Sequence, residues 1–154
     1  MVSNPFGKLD FFEDKYFNRL SFRIEACKNP VQTLAKIKSM SRECGIAINA
    51  ATHENSIYYL YEFVDYILVM AVEGGFIGQD FNESAIEKTK NIREELNKRK
   101  MYKDIYVDGH IDKETILKLC KAGANAFVGR SSGLFRNGHI LKDNLEILRN
   151  NLIS

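Results

Sequence analysis

The sequence predicts a parallel α/β fold, and three observations carry that reading. Five short apolar segments alternate with segments of helical period, which is the pattern of a parallel sheet wrapped by helices. One of them, Tyr66 to Val72, is a near-continuous apolar run bounded by charge and glycine, as a strand buried on both faces would be. The strands end on polar or glycine residues: Glu25, Asn49, Glu73-Gly74-Gly75, Asp108-Gly109 and Gly129 to Ser131. In parallel α/β folds those carboxyl ends are where ligands sit.

Composition narrows the class. A chain of 154 residues makes about one domain, with 45% hydrophobic and 27% charged residues, ordinary for a globular protein. A net charge of +2 gives no reason to propose nucleic acid as a partner. There is no apolar run of about 18 residues and no signal-peptide pattern, so no membrane partner and a cytoplasmic location are expected. Cys27, Cys44 and Cys120 lack metal spacing and are expected to be reduced, buried small hydrophobes.

Taken in order, Asn4-Pro5 and Gly7 signal a turn. Asp10 to Arg19 is expected as a helix capped by Asp10, with Phe11, Phe12, Tyr16, Phe17 and Leu20 on one stripe. Leu20 to Ile24 reads as a strand. Asn29-Pro30 opens a helix bearing Val31, Leu34 and Ile37. Gly45 to Asn49 is the next strand, and Thr52 caps a short helix presenting Ile57, Leu60, Tyr61 and Val64. After the Tyr66 strand a charged helix runs from about Glu83 to Arg99, with Ile86, Ile92 and Leu96 inward and its charges on a solvated face. Asp104 to Asp108 is strand, Lys113 to Lys121 a helix with Ile116, Leu117 and Cys120 inward, and Ala126 to Val128 the last strand. The closing helix holds Leu141, Leu145, Leu148 and Leu152 at helical spacing. Two folds fit this order, an open doubly wound sheet or part of a (β/α)8 barrel, and periodicity does not choose between them.

The turn after Tyr66–Val72 suits phosphate. Two adjacent glycines let the backbone turn with positive φ, and successive N–H groups can then cradle an oxyanion. The whole stretch Asp65 to Phe81 resembles the sixth strand and phosphate loop of the ribulose-phosphate 3-epimerase family, M-x-V-x-P-G-F-x-G-Q. Met70, Val72, Gly75, Phe76, Gly78 and Gln79 match, and Gly74 stands in place of proline. Phe22 to Ala26 looks like the fourth strand, F-H-x-E-A, and Gly45 to Thr52 like the fifth, G-x-x-x-N-P-x-T. Val107-Asp108-Gly109 looks like the seventh, V-D-G-G. Ala122 to Asn125 with Phe127-Val128 looks like the approach to the eighth. Ser132-Gly133-Leu134-Phe135 points to the branch acting on allulose 6-phosphate.

The resemblance implies a (β/α)8 TIM barrel, here incomplete, with about the fourth to eighth strands in one partial domain over 1–154. Met1-Val2 look like the end of the third-strand motif H-L-M-V, so the chain is expected to start late in the barrel, leaving two unpaired sheet edges. The missing strands would carry a serine, two metal-binding histidines and the first catalytic aspartate.

The implied reaction is epimerisation beside the ketone of a phosphorylated ketose, ribulose 5-phosphate or allulose 6-phosphate. It needs a base on one face, an acid on the other, and in the family a divalent metal (zinc, manganese, iron or magnesium). Positioned acid–base groups each contribute roughly 10² to 10⁴ in rate. By resemblance Asp108 is both acid/base and metal ligand. Gly75, Phe76, Ile77, Gly78, Gly109, His110, Gly129, Arg130 and Ser131 grip the phosphate, and Met70 and Asn49 line the pocket. The chain departs from the family at Arg23, Ala50, His110 and Arg130, where histidine, proline, glycine and glycine are usual. A lone carboxylate does not hold a metal tightly. The second reading is therefore a catalytically inactive fragment acting as a phosphate-binding or interaction module. A homo-oligomer, in which a second chain completes the barrel, is a further reading.

Overall fold

The computed structural model describes residues 3–12, 16–73, 79–130, 132–135 and 140–153. Its frame is a single sheet of β1 (Arg19–Arg23), β2 (Glu43–Ile48), β3 (Tyr66–Met70), β4 (Asp104–Asp108) and β5 (Ala126–Val128), all parallel and adjacent in chain order. A doubly wound sheet reverses its order at a switch point. This sheet does not reverse, and its order is that of successive strands in a (β/α) barrel. The crossovers are α1 (Pro30–Ser39), a 3₁₀ segment Glu54–Leu60, α2 (Ser84–Lys98) and α3 (Thr115–Lys121), and α4 (Leu141–Ile153) ends the chain. Among the described residues no helix is long and apolar enough to cross a membrane.

The two faces of the sheet differ in chemistry. Ile46, Ile48, Ile67, Val69, Ile105 and Val107 point to the helix side and are fully buried. They meet Leu34 and Ile37 of α1, Ile57 and Leu60 of the 3₁₀ segment, Ile92 and Leu96 of α2, and Ile116 and Leu119 of α3 in one cluster. The opposite face is more polar. In-register partners share a face, so Met70 and Asp108 lie side by side, as do Leu68 and Tyr106 one step below. At the bottom of this face Arg19 reaches the Tyr106 hydroxyl and stacks on the Tyr66 and Tyr106 rings, each centroid 5.9 Å from the guanidinium carbon. Tyr66 lies across Gly45, where any Cβ would collide with its ring.

The structure differs from the sequence reading at the N-terminus. Pro5–Phe12 is a 3₁₀ helix that buries only Pro5 and Leu9, and Phe17-Asn18 lead directly into β1. Phe11 and Tyr16 are each 77% exposed, and Phe12 and Phe17 stack on one another edge to face rather than on the core. The expected cap, Asp10, lies inside this 3₁₀ helix rather than at the start of one. Cys120 is exposed, Cys27 half-buried and Cys44 buried, all with free thiols. The inner face of α3 runs Thr115, Ile116, Leu119, Ala122, which turns Cys120 away from it. In α4 Leu148 is buried, while Leu141 and Leu145 face outward.

Candidate functional site

Because every strand is parallel, all five carboxyl ends open on one edge. Asp108 is the last residue of β4, with Met70 beside it on β3 and Val128 on β5. It is 7% exposed, and its carbonyl accepts from Ala71 N–H at 2.8 Å. Burial raises the Asp108 carboxyl above its ordinary value, and the Arg130 guanidinium opposes that by charge and by a hydrogen bond. The pair is short, Nη2 to Oδ2 at 2.8 Å, with the arginine side chain 66% exposed and the carboxylate side chain 10% exposed.

The turn after Asp108 explains the residues that follow. Gly109 has φ +119°, and a Cβ there would lie 2.7 Å from a Val72 methyl, so only glycine fits. His110 also has positive φ, at 49°, strained for a side-chain-bearing residue. Its Nδ1 lies 3.0 Å from the Gln79 carbonyl, and its own carbonyl accepts from the Thr115 hydroxyl. Gln79 in turn donates to the Glu73 carbonyl at 2.7 Å, so Glu73 and Gln79 are tied to one another and to the β4 turn. Gly75, Phe76, Ile77, Gly78 and Ser131 lie outside the described residues. Gly129 packs against Leu134, leaving 2.9 Å for a Cβ.

Asn49 follows β2 and is 7% exposed. Its N–H donates to Glu25 Oε1 at 2.9 Å, its carbonyl accepts from Lys88 Nζ at 2.5 Å, and its Oδ1 is buried with no hydrogen-bond partner among the described residues. Burial alone would raise the Glu25 carboxyl, but hydrogen bonds from Thr52, Asn49 and Arg23 outweigh it and hold Glu25 below its ordinary value.

Lys88, Glu54 and the roles of Glu25 and Glu73 were not legible as a network. Lys88 is 5% exposed and donates to Asn49 O and to Ala50 O at 2.6 Å. Glu54, 6% exposed, accepts from Asn91 Nδ2 at 2.7 Å, and Glu73 Oε1 accepts from Ala51 N–H at 3.0 Å. A pocket of about 260 Å³ lies over this network, lined by Ala50 to Glu54 and by Ser84, Glu87, Lys88 and Asn91, apart from Asp108 and Arg130. A signal existed: Ala85, Lys88, Thr89, Ile92 and Leu96 keep helical period, which puts one lysine on the buried stripe.

The divalent metal implied by resemblance does not fit the donors present. No group of three or more His, Cys, Asp or Glu converges among the described residues, and the Asp108 carboxylate carries a guanidinium.

Comparison with known proteins agrees with the sheet order. The sequence matches the profile of the ribulose-phosphate 3 epimerase family over residues 1–135. Ribulose-phosphate 3-epimerases of Eremothecium gossypii, Methanocaldococcus jannaschii and Bacillus subtilis are 36%, 34% and 31% identical, over 86% of this chain in each case. The chain spans 54%, 56% and 61% of those relatives' own lengths. Among solved structures, a mutant flavocytochrome b2 with pyruvate bound superposes with a TM-score of 0.54 at 21% identity, covering 79% of this chain and 32% of that one, a likeness of fold alone. The chain belongs to the ribulose-phosphate 3-epimerase family.

Proposed function

We propose that this chain is a ketose-phosphate 3-epimerase homologue in which Asp108 is the acid/base at C3. Its domain, 1–154, corresponds to about the fourth to eighth strands of the family barrel. The single observation that carries the reading is a buried carboxylate at the carboxyl end of a central strand, its pKa raised by burial. A proton α to a ketone is removed by a base held within hydrogen-bond reach. Asp108 takes the C3 proton of ribulose 5-phosphate or allulose 6-phosphate, and the charge passes into the C2–C3 enediolate. An acid on the other face completes inversion. Among the described residues Asp108 is the one buried aspartate, so the lone chain is impaired in full epimerisation. The phosphate is gripped by Gly75 to Gly78, Gly109 with His110, and Gly129 to Ser131, with Met70 and Asn49 lining the pocket.

A second reading is favoured by one feature, the Arg130 guanidinium seated on Asp108. Under it the chain is an inactive phosphate-binding or interaction module. Exchange of the C3 proton of both sugar phosphates by the purified chain separates the two. Exchange lost in Asp108→Asn is expected for the epimerase. No exchange, together with a melting shift caused by millimolar sugar phosphate, identifies the binding module.

A further inference from the structure

We propose that Arg130 is the built-in counter-cation of Asp108, a guanidinium standing where the family would place a divalent metal. This deepens the reading of Asp108 given above and rests on it. The first support is geometric. At 2.8 Å the Nη2–Oδ2 contact is a charge-assisted hydrogen bond, and the exposed arginine reaches a carboxylate that is itself only 10% exposed, so it covers the solvent approach.

The second support is that the arginine backbone is anchored. The Arg130 carbonyl accepts from Phe135 N–H at 3.0 Å and Gly133 N–H at 3.3 Å. The same turn is docked on the loop after β4. Ser132 Oγ donates to the Ile111 carbonyl at 3.3 Å, and Gly133 sits so close to that carbonyl that a Cβ would collide with it. Arg130 is thus delivered to Asp108 by a turn built against the Asp108 loop.

The third support is that other donors at the strand ends are committed elsewhere. Glu25 is held by Asn49 N–H and Arg23, and Glu73 by Ala51 N–H. A divalent ion at Asp108 would have to displace a positive charge and recruit ligands from groups already hydrogen-bonded. The guanidinium uses one of its five donors on Asp108, and those left over suit a phosphomonoester, the class of anion proposed as substrate.

A double-mutant cycle on the 154-residue chain, with manganese as probe, tests the assignment. Arg130→Gln is expected to lower the melting temperature by about 4 °C because it leaves a buried carboxylate unpaired, and adding Asp108→Asn is expected to restore most of that loss. A loss unrelieved by Asp108→Asn, or no loss at all, overturns the proposal. In a spectroscopic titration the free manganese signal of the wild-type chain is expected to persist to millimolar concentration. Manganese binding at tens of micromolar that disappears in Asp108→Asn overturns it as well. Sugar phosphate affinity is read separately: if no phosphate binds while the cycle and the manganese arm behave as expected, the epimerase reading fails and the counter-cation stands.

Discussion

Replacing Lys88 by methionine tests how the site's rim is held. Met matches the aliphatic stem in length and keeps the inner stripe of α2 apolar. It removes an ammonium that donates to Asn49 O at 2.5 Å and Ala50 O at 2.6 Å. Hydrogen bonds from a charged donor contribute about 1.5–3 kcal/mol each, and two buried carbonyls would lose their donor. Against this, the substitution relieves the desolvation that lowers the lysine pKa. Glu54, Glu25 and Glu73, which all favour the charged ammonium, lose a neighbouring cation. The balance is a net loss of about 2–4 kcal/mol. At about 2–4 °C per kcal/mol for a chain of this size, the melting temperature falls by roughly 4–16 °C. Calorimetry of wild type and Lys88→Met reads this directly. Since Asn49 is tied to Lys88, sugar phosphate affinity is expected to fall too. A melting temperature within about 1 °C of wild type, with unchanged affinity, would refute the network reasoning.

Other outcomes follow from single residues. Gly109→Ala combines a φ of +119° with a Cβ only 2.7 Å from Val72, and is expected to cost about 1–3 kcal/mol in a urea denaturation series. The Glu25 carboxyl lies below its ordinary 4.5 in the folded chain, so the unfolded chain binds the proton more readily. Its stabilisation is complete above pH 4.5 and is lost as pH falls through the folded value, so Glu25→Gln should flatten the acid limb of stability against pH. Thiol labelling is expected in the order Cys120, Cys27, Cys44. Cys44 is buried, its thiol pushed up to about 11 first by burial and then by Asp65, and it should react only on unfolding.

Much of the frame was legible because strand periodicity and glycine punctuation are local signals. Asp104–Asp108 and Ala126–Val128 fall where the sequence places them, and β3 is buried as its apolar character implies except at half-buried Leu68. The N-terminal helix was misread because aromatic spacing alone does not tell a buried stripe from exposed rings, and Phe11 and Tyr16 face solvent. Val31 is 40% exposed although it keeps the period of Leu34 and Ile37, so period alone did not fix which positions of α1 are buried. Asp108 could be picked out as a carboxylate before a glycine at a strand end. Its pairing with Arg130 could not, because the two lie 22 positions apart, one at the end of β4 and one in the turn after β5, and meet only when those strands align. Lys88 was hidden among the charges of α2, and three-dimensional burial singles it out.

The most direct measurement is exchange of the C3 proton of ribulose 5-phosphate in deuterated water, followed by NMR for wild type and Asp108→Asn. A single base suffices for exchange, even where the acid needed for inversion is lacking. Exchange by the wild-type chain that falls by about 10² or more in Asp108→Asn is the predicted result. Exchange undiminished in Asp108→Asn, or no exchange above the uncatalysed rate in wild type, would contradict the assignment of Asp108 as the base.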